Sequence, residues 1–166
     1  STCSGCYAMK GNYVWPDVER ALERRFNAIN EPTWIDDMVA LIAVLEKSGY
    51  FRWHDSGDIQ SVAHLSAIVE IAKRTPDVEH WLPTREYRIV NEWRKANGAF
   101  PSNLCVRLSA HMLGKAGPTQ YGLPVSGVAP KGSKAFDCQA YTRGGKCGDC
   151  RACWDVTVPS VIYPLH

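Results

Sequence analysis

The chain has 166 residues, of which 22% are charged and 45% hydrophobic, and a formal net charge of +2. That length fits a single domain over residues 1–166 and is enough to bury a core without covalent staples. The small charge, with Lys and Arg spread along the chain, does not indicate nucleic acid by itself, and no apolar run approaches the roughly 20 residues that cross a bilayer.

In chain order, the pair Cys3-x2-Cys6 forms a first loop, followed by Pro16 at a helix start. Asp17 and Glu19 suit the first turn of that helix, Val18, Leu22, Phe26 and Ile29 share one face, and the helix ends near Asn30. Thr33 caps a second helix in which Ile35, Met38, Val39, Ile42 and Leu45 make the buried stripe, stopped by Ser48-Gly49. A strand over 50–54 follows. The spacing of Val62, Leu65, Ile68, Val69 and Ala72 then predicts a helix over 61–75, Trp81-Leu82 a strand ending at Pro83-Thr84, 87–97 a helix closed by Gly98, and 104–108 another strand. The stretch 112–133 is rich in Gly and Pro and holds one strand, 125–129. After the cysteine-rich loop, 156–163 reads as the last strand. Strands separated by helices give an α/β fold, either a partial (β/α) barrel or an open parallel sheet of about five to six strands with outer helices and a C-terminal cysteine-rich loop.

Seven cysteines is a high count for this length, and four fall in the run Cys138-x8-Cys147-x2-Cys150-x2-Cys153-Trp154. Three cysteines at two-residue intervals turn their sulfurs toward one centre if the backbone coils around it, which glycines before and within the run allow. Disulfides are the competing account, against which stand the odd number and the spacing, since neighbours at that interval pair awkwardly. Zinc prefers two separated Cys-x2-Cys knuckles, which Cys3/Cys6 with Cys147/Cys150 would supply. Uninterrupted Cys-x2-Cys-x2-Cys with a distant fourth cysteine is the ferredoxin-like habit, and a 4Fe-4S cluster is the favoured reading. Cys147, Cys150 and Cys153 are the leading ligands, with Cys138 or Cys6 as the fourth and Cys3 a further candidate. Cys105, between Leu104 and Val106, reads as core. Trp34, Trp81 and Trp93 suit packing, Trp154 suits a shield beside the metal, and His166 reads as a chain end. With no secretory leader, a reducing cytoplasm is the expected compartment.

The first strand runs into His54-Asp55-Ser56-Gly57-Asp58. In parallel α/β folds the site lies at the C-terminal ends of strands, so charged groups there are candidates for chemistry: His54 or Asp55 as general base, and Asp58 to hold a hydroxyl, amine or cation. The competing reading is capping of the helix that starts at Ser61. At the second strand end, Arg85 suits a carboxylate or phosphate, or an ion pair with Glu86. The third strand end offers Arg107, Ser109 and His111.

Four separated motifs carry a resemblance: Cys-Tyr-Ala at 6–8, Phe-Arg-x-His-Asp-Ser-Gly-Asp at 51–58, Trp-x-x-Thr-Arg at 81–85, and the closing Cys-x2-Cys-x2-Cys-Trp. Together they resemble the phage "gene product eighty-eight" family over most of the chain, which implies a phage or prophage origin and the cytoplasm of a host cell. The partial barrel with cysteines followed by Tyr-Ala is also similar to radical S-adenosylmethionine proteins. Those carry Cys-x3-Cys-x2-Cys in that loop, where this chain has Cys3 and Cys6, and a cluster held by four cysteines leaves no iron open for S-adenosylmethionine. Asp55-Ser56-Gly57-Asp58 is similar to the Asp-Ser-Gly-Gly of tRNA-guanine transglycosylases, which carry a zinc site of three cysteines and a histidine. Three functions follow: a cluster enzyme acting on a small molecule or nucleic acid, a cluster-stabilised protein that binds a host or phage partner, and a zinc-dependent base-modifying enzyme.

Overall fold

The structure, a computed structural model, describes residues 7–130, 132–133 and 137–165. Five strands, β1 (Tyr50–Arg52), β2 (Glu79–Thr84), β3 (Leu104–Ser109), β4 (Val125–Val128) and β5 (Ser160–Tyr163), form one sheet in sequential order. Every neighbouring pair is parallel. The sheet curls into a half-barrel accompanied, among the described residues, by four α-helices, α1 (Pro16–Ala28), α2 (Trp34–Leu45), α3 (Val62–Arg74) and α4 (Tyr87–Asn97), so of the two α/β arrangements expected the partial barrel is the one found.

Helix α3 is the centre of the packing. Ser61 caps it by accepting from the His64 backbone N–H at 3.0 Å, satisfying one of the donors a helix start leaves over. Leu65, Ile68, Ile71 and Ala72 follow at helical spacing and are fully buried, each large aliphatic side chain contributing roughly 1.5–3 kcal/mol. α3 packs on α2 and α4. In α4, Trp93 stacks on Phe100 with ring centroids 4.7 Å apart and donates through Nε1 to Ser66 Oγ at 3.0 Å. Gly98 ends this helix at φ 86°, a conformation that costs glycine little.

Two apolar stripes are less buried than their periodicity predicts. In α2 only Ile42 is buried, and Leu45 at its last position is 69% exposed. No residue of α1 is buried, and Phe26 lies open, because this helix packs mainly on the preceding turn Gly11–Val14. The last strand is shorter than 156–163. Asp155 folds the chain back by accepting from Thr157 N (2.8 Å) and Thr157 Oγ1 (2.7 Å), a local turn that competes with extension.

Between β3 and β4 the chain crosses the sheet end so closely that only glycine fits. Gly114 N donates to Val128 O at 2.8 Å and Gly117 N to Ser126 O at 3.0 Å. A Cβ on Gly117 would lie 2.0 Å from Leu108 O, and one on Gly127 2.3 Å from Lys115 O. The alternation of β-strand side chains separates two faces. Leu82, Leu104, Val106, Leu108 and Val125 face the helices. Trp81, Cys105, Arg107, Ser109, Ser126 and Val161 occupy alternate positions, on the inner face of the half-barrel.

Candidate functional site

At the C-terminal edge, the residues picked out by sequence are brought close together, and much of their bonding capacity is used within the fold. Asp58 accepts from Thr84 Oγ1 (2.6 Å), Arg85 N (2.7 Å) and Ile59 N (2.8 Å). It therefore ties the β1 loop to the end of β2, a longer-range role than the helix capping that sequence suggests. Arg85 Nε donates to Ala110 O at 3.0 Å, linking that loop to the end of β3. Asp55 accepts from the Tyr13 hydroxyl. His54 has a left-handed backbone at φ 56°, a region that histidine visits more readily than β-branched residues do. Its ring lies against that of His64, with centroids 5.7 Å apart. Burial holds the His54 pKa below its ordinary value, opposed by the Asp58 carboxylate and reinforced by Arg52. Its Nδ1 is buried without a partner. His54, Asp55, Asp58 and Arg85 thus form a braced cluster in which His54 is the residue with an unused buried ring nitrogen.

The C-terminal cysteines lie elsewhere, across the inner face of the half-barrel. Cys138, Cys147, Cys150 and Cys153 all line one cavity of about 270 Å³, together with Asp137, Arg143, Trp154 and Val161. That volume is many times the roughly 10–15 Å³ needed to admit one water. All four are free thiols, as is Cys105. Cys153 is buried against Trp81 and Val161, with Cys138, Trp154 and Tyr163 packed around them. Burial raises the Cys153 pKa, partly offset by its contact with the Tyr163 hydroxyl, 3.3 Å from Sγ. Burial likewise raises Tyr163 and pushes Cys105 up to about 11. No three His, Cys, Asp or Glu side chains among the described residues close on a single ion-sized point. Cys3, Cys6 and His166 lie outside the described residues.

Three contacts hold this segment on the sheet. Asp137 N and Cys138 N donate to Ile162 O (2.9 and 3.1 Å) while the Asp137 carboxylate accepts from Ile162 N (2.8 Å), stapling one end to β5. Trp154 Nε1 donates to Phe51 O at 3.0 Å, and its ring meets those of Trp81 and Tyr50 edge-on at 5.2 and 5.7 Å. Arg107, fully buried in β3, donates to the carbonyls of Ala152 (2.8 Å), Asp155 (3.1 Å) and Cys153 (3.4 Å). Trp154 therefore sits beside the cysteines as a lid on the inner face, and Cys105 lies buried in β3 as expected.

A family model described as Gene product 88 matches residues 1–156, nearly the whole chain. The chain belongs to the Gene product 88 family. No curated protein and no solved structure matches it. The matched span contains every motif of the Gene product 88 resemblance, including all seven cysteines.

Sequence reading grouped Arg107 with Ser109 and His111 as strand-end residues. The structure separates them: Arg107 is buried under the cysteine segment, Ser109 Oγ pairs with Ser126 Oγ at 3.0 Å, and His111 is exposed with its ring 4.8 Å from that of Tyr87. Trp81 is buried in packing as expected, and its neighbours there include cysteines. Its indole N–H is buried without an acceptor, in the same cluster as Cys153 and Cys138. The signal available beforehand was strand alternation, which puts Cys105 and Arg107 on one face of β3.

Proposed function

We propose that this Gene product 88 protein is a phage metalloprotein in which Cys138, Cys147, Cys150 and Cys153 hold a 4Fe-4S cluster against the inner face of the half-barrel. The observation that carries the reading is the convergence of four free thiols on the wall of one cavity; Trp81, whose buried N–H lacks an acceptor, packs in the same cluster as Cys153. A buried donor without a partner calls for an acceptor, which thiolate or sulfide supplies. Thiols spread around a cavity suit a polynuclear group better than a single zinc ion, whose tetrahedral sulfurs at ~2.3 Å must close on one point.

When bound, such a group supplies one-electron transfer or a rigid cross-link. The chain's own residues then position and shield it. Trp154 covers the site, Asp137 and Arg107 anchor the two ends of the segment, and the Tyr163 hydroxyl meets Cys153. With four thiolates supplied by the protein, no position is left for S-adenosylmethionine, so we favour a cluster-stabilised protein that acts through electron transfer or through binding a host or phage partner. No helix among the described residues is long and apolar enough to cross a membrane.

Anaerobic purification followed by iron, sulfide and zinc quantification, with electron paramagnetic resonance after reduction, tests this. About four irons and four sulfides per chain are expected, and Cys150→Ser should lower iron content to a small fraction of the parent's. Zinc without iron would replace the cluster with a zinc centre. A folded protein holding neither metal after reconstitution with iron and sulfide, or with zinc, would refute the reading.

A further inference from the structure

We infer that Arg107 is the buried counter-charge of the four-cysteine centre, offsetting the negative charge its thiolates carry when metal is bound. The inference rests on the metal reading above and adds a role for a residue outside the ligand set.

Arg107 is wholly buried, yet its hydrogen-bond partners are neutral. Its N–H groups reach five main-chain carbonyls, those of Ala152, Asp155 and Cys153 in the cysteine segment, and those of Val125 (3.0 Å) and Val158 (3.2 Å). Its remaining neighbour is the thiol of Cys105, 3.8 Å away. None of the three ion pairs among the described residues includes it. The Asp155 carboxylate is turned outward onto Thr157, whose hydrogen bonds, with help from Arg107, hold it below its ordinary pKa; it is exposed, so water screens the attraction to Arg107. The carbonyls satisfy the guanidinium's geometry, but with Asp155 exposed to solvent they leave its charge without a buried partner, in a place where that is costly. An apolar or neutral polar side chain would fill β3 at less cost, so the charge calls for a partner.

That partner is on the other side of the carbonyls. Arg107 grips the backbone on both sides of Cys153, the most buried of the four cysteines. Four thiolates around Zn²⁺ leave a net charge of about −2, and a thiolate-ligated cluster is likewise anionic. Arg143 at the cavity rim adds a second cation, and Asp137 an opposing acid. Arginine suits the buried position because it is always charged and holds a planar fork of donors.

Arg107→Met and Arg107→Lys separate charge from hydrogen bonding. With a cluster reconstituted from iron and sulfide as the probe and a thermal melt to establish folding, the Met variant should lose iron to a chelator at least about tenfold faster than the parent, the scale at which residues beyond the ligands tune metal sites. The Lys variant keeps the charge with fewer bonds and should stay within about threefold. In cluster-loaded protein, the midpoint potential should move to more negative values in the Met variant and return in the Lys variant. A folded Met variant that keeps its cluster as long as the parent does overturns the inference while leaving the metal site intact. So does a Lys variant that loses iron more than about tenfold faster, which would show that the fork alone matters; this arm stands even where the Met variant fails to fold. A parent protein that takes up no cluster on reconstitution overturns the metal reading, and this inference with it.

Discussion

Removing the Asp58 carboxylate is the sharpest probe of how the C-terminal edge is built. Asp58 receives three hydrogen bonds from two separate stretches of chain, and Thr84, its closest partner at 2.6 Å, is 1% exposed. In Asp58→Ala the Thr84 hydroxyl keeps its bond from Glu86 N (3.0 Å) but loses its own acceptor, at about 1–2 kcal/mol for a buried donor left unpaired. The Arg85 N–H is only partly buried, so water replaces part of its bond and about 1 kcal/mol is lost. Ile59 N adds a few tenths. The sum is about 2–3 kcal/mol. Asp58→Asn should cost about half that, since one oxygen still serves Thr84 while the amide meets Arg85 N–H with a donor. Urea unfolding measures both, read from midpoints at constant m. A double-mutant cycle with Thr84→Val should return a coupling of about 1–2 kcal/mol. Loss below 0.5 kcal/mol for Asp58→Ala, with no coupling to Thr84, would refute the bracing role and return Asp58 to the candidates for direct chemistry.

Two further outcomes follow from burial and from close approach. Burial holds His64 and His80 near a pKa of about 4 against the ordinary 6.5; because the unfolded chain protonates first as pH falls, stability is full above about 6.5 and declines toward 4, by roughly 2 kcal/mol per ring at pH 5. Urea midpoints that stay level between pH 7 and pH 5 would contradict this. Gly127→Ala places a methyl 2.3 Å from Lys115 O, so the crossing segment must move, at several kcal/mol or with loss of soluble protein; a thermal melt within about 2 °C of the parent's would show that the segment gives way freely.

Periodicity made the scaffold legible because α3, α4 and β3 satisfy their local patterns and their burial at once. The helix expected over 87–97 is found at Tyr87–Asn97, with Gly98 closing it. For α1, the pattern of Val18, Leu22 and Phe26 specifies which side is apolar but not that a surface exists to receive it, and the structure buries none of them. At the candidate sites the residues were legible and their partners were not. Asp58 finds Thr84 and Arg85 about a quarter of a hundred positions away, separations of 26 and 27 residues. Trp154 reaches Phe51 across 103. Contacts of that range leave no periodic trace in a single sequence, which is why Arg107 reads as a strand-end residue until the cysteine segment is seen to cover it.

The same long-range contacts explain why the cysteines belong to the fold and not only to a site. Among the described residues the sheet has five strands, and no opposing strand covers Trp81, Val161 and Tyr163 on its inner face. The cysteine segment covers that face with little regular structure of its own: between β4 and β5 the described residues contain a single 3-10 turn, Ala140–Arg143. Its order therefore depends on a few anchors, Asp137 on β5, Arg107 on β3 and Trp154 on β1. On the metal reading proposed above, a group held by Cys138 near the first anchor and Cys153 at the second would tie two strands together through the segment between them. Binding free energy is then folding free energy for the inner face, and loss of metal should loosen this face before the helix-packed one, in which α3 retains its fully buried side chains.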